Sequence, residues 1–146
     1  MSLQIEEREK EGIVILDLKG SLTLGEGDLA LRESLAALHR SGKINIILDL
    51  KEVIDIDSTG LGTLVFGLAK LRKASGRLAL LNVNRTHLKL FLLTRLALAF
   101  EFFDDEQDAV DGFFPDRELK HFDVLEFVRH EEEANSKHDT HADRAC

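Results

Sequence analysis

The chain has 146 residues, 44% of them hydrophobic, so it is long enough for one domain with a well-formed core. Its formal net charge of -8 argues against nucleic acid or an anionic membrane surface as a partner, because both are bound by clustered Lys and Arg side chains. A lone cysteine, Cys146, excludes an internal disulfide, and without a signal peptide or an apolar run of ~20 residues we expect a cytoplasmic protein with no direct membrane contact.

The first predicted elements are the two strands of a β-hairpin. Residues 3–10 mix apolar and charged side chains, a Glu11-Gly12 turn follows, and residues 13–18 are mostly apolar. Because two strands joined by so short a turn pair with each other, we expect an antiparallel hairpin at the start of the chain.

A glycine-rich stretch, residues 20–27, connects this hairpin to a predicted helix that runs to about His39. The stretch lacks the Lys-Ser/Thr pair of a P-loop and the glycine order of a dinucleotide-binding turn, which argues against a nucleotide site. The helix is predicted to be amphipathic. Its apolar face is expected to contain Leu29, Leu31, Leu35 and Leu38.

A strand buried on both faces is predicted at residues 44–48, where β-branched and other apolar side chains dominate as in a largely parallel sheet. Residues 49–57 are then expected to carry the chain around as a charged turn. Asp57 and Ser58 are strong N-cap residues, so the next helix is predicted to begin at Ser58. Its apolar positions have helical spacing: Leu61, Leu64, Val65, Leu68 and Leu71.

The position of Ser58 suggests a phosphorylation site. A helix N-terminus presents unpaired N–H groups and the positive end of the helix dipole, which together favour a phosphate. Gly60 and Gly62 leave the backbone uncovered, so the active site of a partner could approach closely. The alternative is that Asp57 and Ser58 only cap the helix and that the glycines only permit close packing. The local residues leave both interpretations open.

The remaining elements complete a predicted α/β domain. They are a strand at residues 78–83, a helix at 86–96, an edge strand at 99–103 and a last helix, capped by Asp104 and Asp105, that reaches about residue 113. Asn82, Asn84 and Arg85 follow a buried strand, and loops at the carboxyl ends of parallel strands share one sheet edge. Arg85 or Lys89 could therefore help to dock a partner next to Ser58, or this could be an ordinary helix start.

An acidic extension follows Pro115. It contains nine acidic and five basic residues, and its apolar side chains could form one helix or strand that docks on the domain or on a neighbouring copy. Those side chains are Leu119, Phe122, Leu125, Phe127 and Val128. We therefore divide the chain into a domain at 1–114 and an extension at 115–146, with residues 131–146 polar enough to be disordered. His130, His138, His141 and Cys146 match no closed zinc pattern, so no metal site is expected.

The segment Asp57-Ser58-Thr59-Gly60-Leu61-Gly62 resembles the D-S-[ST]-G-[LI]-G signature of STAS domains, the family of bacterial anti-sigma-factor antagonists. The likeness extends over about residues 3–113 and includes the glycine-rich stretch at 20–27 and the strand at 78–83. Two departures stand out: Thr23 replaces an aspartate that many relatives carry, and Arg95 replaces a common glycine.

The resemblance implies a single α/β domain with a mixed, mostly parallel sheet, an N-terminal hairpin and about four helices. It also implies a non-catalytic, partner-switching adaptor without a cofactor, whose partner is an anti-sigma factor with serine kinase activity that phosphorylates Ser58. The implied partner-binding residues are Thr23, Gly25, Asp57, Ser58, Thr59, Gly60, Leu61, Gly62 and Arg85. The alternative is a structural STAS subunit of a signalling scaffold or of a membrane transport complex. A homodimer is also a possible partner arrangement for the adaptor.

An enzymatic role is not expected from the sequence. There is no G-x-S-x-G nucleophile elbow, and no histidine is close to Ser58 in sequence. The acidic pair that a response-regulator receiver needs after its first strand is also missing, since Asp17 is followed by Leu18 and Lys19. His39, His87 and His121 are predicted to be exposed helix or loop residues.

Overall fold

The computed structural model describes residues 2–118 and residue 129. Among these residues, one five-stranded sheet and four helices are present. The strands are β1 (Leu3–Lys10), β2 (Ile13–Leu22), β3 (Asn45–Ile56), β4 (Arg77–Leu81) and β5 (Glu101–Phe103). The helices are α1 (Glu26–Arg40), α2 (Ser58–Lys73), α3 (Arg85–Leu93) and α4 (Glu106–Asp111). The predicted fold class, a single α/β domain with about four helices, is confirmed.

The sheet is mixed and mostly parallel, with the strand order β1-β2-β3-β4-β5. β1 and β2 form the predicted antiparallel hairpin, while β2, β3, β4 and β5 pair in parallel. Each parallel pair is joined by a helical crossover, as parallel pairing requires. The carboxyl ends of β2, β3 and β4 therefore meet at one edge of the sheet, where α1, α2 and α3 begin.

The core lies on both faces of the sheet. On one face, the apolar sides of α1, α2 and α3 pack against β2, β3 and β4, and three T-shaped contacts join Phe91, Phe100 and Phe102. On the other face, α4 covers a smaller cluster that includes Ile15 and Ile47. Ile46, Ile47 and Leu48 are fully buried, so the prediction that this strand is buried on both faces is confirmed.

The predicted charged turn at residues 49–57 is wrong, because β3 continues to Ile56. β2 is extended in the same way, and the two strands stay paired up to Leu22 and Ile56 through two register shifts. Leu50 and Val53 remain buried along this second half, whereas the charged side chains between and after them face solvent. A strand that is covered on one face tolerates such charges on the other face.

Two burial predictions are also wrong. Leu29, which was expected on the apolar face of α1, is exposed, because the helix turns this side chain away from the sheet. His87 is buried rather than exposed, because α3 packs its first turn against the end of β3.

Several boundaries differ from the prediction. β4 ends at Leu81 instead of residue 83, because Asn82 adopts a positive φ of 58° that takes the chain out of the strand. α3 covers residues 85–93 rather than 86–96, and β5 only residues 101–103. The domain boundary after residue 114 stays a prediction, and the expected docked segment, the polar tail and His121 lie outside the described residues.

Candidate functional site

Ser58 is the first residue of α2, as predicted, and it is exposed. The N-cap is Asp57, whose carboxylate Oδ1 accepts a hydrogen bond from the Gly60 amide at 2.9 Å. The cap is supplied by Asp57, so the Ser58 hydroxyl is not needed for capping. The structure therefore leaves this hydroxyl accessible at the positive end of a 16-residue helix.

Asp57 also holds the glycine-rich turn. Its Oδ2 accepts a hydrogen bond from the Leu24 amide at 2.9 Å, and its own N–H donates to the Leu22 carbonyl at 3.4 Å. One carboxylate thus fixes the turn after β2 against the start of α2. The sequence indicated the capping bond, but the bond to Leu24 joins residues 33 apart and becomes visible only in the fold.

The Asp57 side chain keeps its negative charge to a lower pH than an ordinary aspartate does. The pKa of Asp57 is lowered from its ordinary value, first by the hydrogen bond from the Leu24 amide and next by the one from Gly60. Hydrogen bonds donated to a carboxylate favour its ionised form. Ser58 therefore has an ionised carboxylate as its neighbour in the chain.

The two glycines of the first turns of α2 have different roles. Gly60 is buried against β2, and an added Cβ would lie 2.1 Å from the Leu22 carbonyl oxygen, so this glycine is needed for close packing. Gly62 is exposed, and an added Cβ would meet nothing within 4 Å. Packing therefore explains Gly60, whereas it does not explain Gly62.

The turn after β2 lies beside α2 and contains two of the predicted residues. Thr23 is half-buried, and its carbonyl accepts from the Asp28 amide at 3.0 Å. Gly25 is the N-cap position of α1 and has a φ of 110°, which an L residue with a side chain adopts only with strain. Leu24, between them, is 76% exposed.

Leu24 is an exposed residue of the candidate site that the sequence reasoning missed. An apolar side chain that projects from a glycine-rich turn next to the polar Ser58 offers buried area to a partner. The available signal was a leucine between Thr23 and Gly25, where a solvent loop usually carries polar residues. That Leu24 could contact a partner becomes clear only in the fold, because Asp57 fixes the Leu24 backbone there.

A buried polar group fastens the two helices behind this surface. The Asp28 side chain in the first turn of α1 accepts hydrogen bonds from the Thr63 hydroxyl of α2 and from the Arg32 Nε, the latter at 3.1 Å. Asp28 and Thr63 are both buried. The starts of α1 and α2 are thus held together, which keeps Gly25 and Ser58 in one surface.

At the same edge of the sheet, α3 begins with Arg85, which is exposed. The Asn84 side chain caps this helix by accepting from the His87 amide at 2.8 Å. The His87 Nε2 lies 3.2 Å from the Ile54 carbonyl, and its buried Nδ1 has no hydrogen-bond partner among the described residues. Desolvation lowers the pKa of His87, so the ring is neutral and ties α3 to the end of β3.

The predicted residues therefore lie in three neighbouring pieces of backbone. Thr23 and Gly25 belong to the turn after β2, Arg85 begins α3, and the others form the N-cap and the first turns of α2. Leu61 is buried in the core, so its side chain shapes the surface without lining it.

Neither a metal site nor a membrane span is found in the described part of the chain. Within residues 2–118 and 129, no three His, Cys, Asp or Glu side chains are grouped so that they could hold a metal ion. No helix in this part has the length and the apolar composition needed to cross a bilayer.

Comparison with known families gives a match over most of the domain. The family model described as STAS domain matches residues 4–109. The chain is 28% identical over 110 residues to the anti-sigma F factor antagonist of Paenibacillus polymyxa, which covers 75% of this chain and 94% of the relative. It is 29% identical over 96 residues to the anti-sigma-B factor antagonist of Bacillus subtilis strain 168, covering 66% of this chain and 86% of the relative.

The solved structures give the same fold. The unphosphorylated form of the anti-sigma factor antagonist SpoIIAA superposes with a TM-score of 0.61 at 23% identity, covering 78% of this chain and 99% of SpoIIAA. At this level of identity the similarity concerns the fold. It agrees with the five-stranded mixed sheet and the N-terminal hairpin described above.

Proposed function

Because the chain belongs to the STAS domain family, we propose that it is an anti-sigma-factor antagonist that is switched by phosphorylation of Ser58. In this role the protein binds an anti-sigma factor with serine kinase activity and thereby releases a sigma factor. It acts as a binding module without catalytic residues of its own. The proposal includes the cytoplasmic location expected from the sequence.

The proposal rests on the exposed Ser58 hydroxyl, which lies on a surface that a partner protein can approach. Asp57 supplies the helix cap, and Gly62 leaves open space on the next turn of α2. Leu24 projects from the turn that Asp57 holds beside this helix. A partner can therefore reach the hydroxyl and bury an apolar side chain in the same contact.

The geometry also suggests how phosphorylation would weaken the complex. The Ser58 oxygen would attack the γ-phosphorus of ATP bound by the partner, ADP would leave, and the hydroxyl proton would pass to a base of the partner. The product carries about -1.5 to -2 charges at neutral pH. This charge would stand beside the ionised Asp57, and desolvating both in an interface is unfavourable. The helix dipole offsets part of that repulsion in the free protein, by about 0.3–1 kcal/mol.

Phosphate transfer tests the modified residue. The protein is mixed with the candidate anti-sigma-factor kinase and ATP, and the products are measured by intact-mass spectrometry. We expect one added phosphate on wild type and on Thr59→Ala, which keeps Ser58, and none on Ser58→Ala. Equal incorporation into wild type and Ser58→Ala would exclude Ser58 from the mechanism.

Binding affinity tests the switch itself. Ser58→Asp places a permanent charge at the site, and Ser58→Asn is a control of similar size without that charge. We expect Ser58→Asp to raise the dissociation constant of the complex with the anti-sigma factor at least tenfold, which corresponds to about 1.4 kcal/mol. Ser58→Asn should have a clearly smaller effect. If both variants bind as tightly as wild type, charge at this position does not control the complex.

The structural alternative, a subunit of a larger scaffold, predicts a different result. Light scattering coupled to size-exclusion chromatography gives the mass of the purified protein without partners. A large stable assembly would favour the scaffold role, whereas a monomer or dimer fits the switch.

A further inference from the structure

A groove runs between α1 and α2 at the end of the domain that is opposite Ser58. α2 begins at the carboxyl edge of the sheet and ends at the amino edge, so Phe66 and Lys73 lie about 12 Å and 22 Å from Ser58 along the helix axis. The described residues leave this groove open, with a volume of about 720 Å³. It is therefore a second surface feature, separate from the proposed phosphorylation site.

The floor of the groove is apolar. At its narrow end Gly67 of α2 packs against Leu35 of α1, and a Cβ added at Gly67 would lie 2.8 Å from the Leu35 Cδ1 atom. Ala69 and Ala74 line the wide end. Phe66 lines both ends and is 51% exposed. A half-exposed aromatic ring between small apolar residues offers a ligand apolar area to cover.

Positive charge lies along the same groove. The Arg32 guanidinium and the Lys70 ammonium are 5.2 Å and 5.7 Å from the centroid of the Phe66 ring, which are cation–π distances. Lys73 stands at the wide end, and the described residues that line the groove include no Asp or Glu.

The two lysines are the charges that remain available to a ligand. Arg32 is already paired with the Asp28 carboxylate at 3.1 Å. By contrast, neither Lys70 nor Lys73 forms an ion pair within residues 2–118 and 129. Lys70 and Lys73 are three residues apart on α2, so their ammonium groups lie on neighbouring turns of one helix face. An anion placed there would meet two cations that no carboxylate of the described chain neutralises.

The size of the groove favours a small molecule over a protein. The part of α2 that lines it, from Phe66 to Ala74, is about 12 Å long. A protein in a stable complex covers about 800 Å² on each partner, which is several times the floor of such a groove. Small-molecule sites have volumes of about 300–1,000 Å³ and are mostly apolar with a few polar groups, as this groove is.

We propose that this groove binds a small anionic amphiphile, namely an apolar chain that carries one carboxylate. The apolar chain packs on Phe66 and Ala69, and the carboxylate pairs with Lys70 and Lys73. A cationic amphiphile would lose the ion pairs, and an anion without an apolar part would lose the packing. The ligand does not contact Ser58, so this proposal and the phosphorylation switch succeed or fail independently.

Calorimetric titration of the unphosphorylated full chain with decanoate, below its micelle concentration at pH 7, tests this binding. We expect wild type to bind one decanoate per chain in a saturable manner. The double variant Lys70→Gln with Lys73→Gln should bind about fivefold more weakly or worse, because two ion pairs are lost. Phe66→Ala should weaken binding by a similar factor, because the ligand loses apolar contact area.

The matched control carries the same charge change elsewhere. Lys19→Gln with Lys51→Gln removes two exposed lysines of β2 and β3, outside the groove. Its affinity for decanoate should stay within about twofold of wild type, since exposed charges at a distance are screened by salt. Urea denaturation shows for each variant that the domain is folded.

Two other probes test the chemistry of the ligand. Decyltrimethylammonium has the same kind of tail with a cationic head, and hexaglutamate is an anionic peptide without an apolar part. We expect both to bind much more weakly than decanoate.

Several outcomes would overturn the proposal. They are the absence of decanoate binding, equal binding of decyltrimethylammonium, and a Lys70 and Lys73 variant that binds decanoate as tightly as wild type. Hexaglutamate that binds as tightly as decanoate would indicate an acidic peptide as the occupant instead. A dimer in light scattering that becomes a monomer in Phe66→Ala would indicate that a second copy covers the groove, and it would equally exclude the amphiphile.

Discussion

At the residue scale, Asp57 connects two parts of the proposed partner-binding surface. One carboxylate oxygen caps α2 through the Gly60 amide, and the other holds the Leu24 amide of the turn after β2. Since Ser58 and Leu24 are both exposed, the side chain of Asp57 fixes the backbone that presents both of them. Thr23 in this turn adds no carboxylate of its own.

Replacing Asp57 tests this connection. We expect Asp57→Ala to lower the free energy of unfolding by about 1–2 kcal/mol, as for other N-cap residues, and to weaken binding of the anti-sigma factor because the turn loses its anchor. Urea denaturation at pH 7 gives the stability. Asn84→Ala is the matched control, because Asn84 caps α3 with the same geometry but has no ionisable group.

The pH dependence of the free energy of unfolding distinguishes the ionisable cap, Asp57, from the neutral cap, Asn84. The pKa of Asp57 is lower in the folded protein than in the unfolded chain, so its contribution is fully present above the unfolded value of about 3.9 and is lost as the pH falls through the folded pKa. The difference between wild type and Asp57→Ala should therefore shrink below about pH 4. The difference for Asn84→Ala should stay constant over the same range. An unchanged Asp57 difference at low pH would contradict the role of its charge.

At the element scale, α2 shows how one sequence motif combines packing and exposure. Gly60 lets the helix approach the end of β2, whereas Gly62 faces open space. Both glycines belong to the same signature, so the hexapeptide alone does not separate them. Which glycine is packed and which is exposed depends on the side of α2 on which each one lies once the helix has packed against the sheet.

Alanine at each glycine tests that separation. Gly60→Ala places a Cβ against the Leu22 carbonyl and should destabilise the domain by roughly 1–3 kcal/mol. Gly62→Ala meets nothing and replaces a mid-helix glycine, so it should stabilise the domain by up to about 1 kcal/mol. Thermal or urea unfolding measures both. If the anti-sigma factor approaches closely at Gly62, this stabilised variant should nevertheless bind it more weakly.

Arg95, the second departure named above, lies at the end of α3. Leu96 N–H donates to the Phe91 carbonyl and Arg95 N–H to the Leu92 carbonyl, which is the hydrogen-bond pair of a Schellman motif. Arg95 occupies the position with a positive φ, 62°, where glycine is the usual residue. The glycine that is common in relatives therefore has a backbone reason.

Arg95→Gly should stabilise the domain by roughly 0.5–1 kcal/mol, because relief of the left-handed strain exceeds the added entropy of the unfolded chain. Arg95→Ala removes the same side chain but keeps a Cβ, so it should change stability little. Denaturation of the two variants under identical conditions makes the comparison. Equal stability of both would show that relief of the strain does not exceed the added entropy of the unfolded chain.

At the scale of the whole molecule, stability and recognition depend on different residues. β3 is the central strand of the sheet and lies between β2 and β4. Its Leu48 is fully buried under the helices that cover one face of the sheet. Leu24, at the carboxyl edge of the same sheet, is mostly exposed. The fold therefore keeps its proposed partner-binding surface outside the core.

Two leucine-to-alanine variants test this division. Leu48→Ala should lower the free energy of unfolding by about 2–5 kcal/mol, because it leaves a cavity in a packed core. Leu24→Ala should change it by less than about 0.5 kcal/mol, yet weaken binding of the anti-sigma factor by more than about 1 kcal/mol if Leu24 is an anchor. Denaturation and calorimetric titration give the two quantities. Unchanged affinity of Leu24→Ala would remove this residue from the interface.

The sequence correctly predicted those elements that depend only on interactions between residues close together in the chain. Asp57 and Ser58 marked the start of α2 because an N-cap needs only a side-chain oxygen and the next few amides. Ile46, Ile47 and Leu48 were correctly predicted as buried because their apolar character does not depend on neighbours. Residues 49–57 were predicted incorrectly, since their charges resemble a turn until the equally long β2 pairs with them.

The sequence by itself determined the strand and helix order and the start of α2 at Ser58, because these follow from periodicity and from interactions within a few residues. Only the tertiary structure decided that His87 is buried against Ile54, that Gly60 and Gly62 differ, and that Asp57 also holds Leu24. Each of these depends on contacts between segments that are distant in the chain, and such contacts exist only when the sheet has brought its strand ends together.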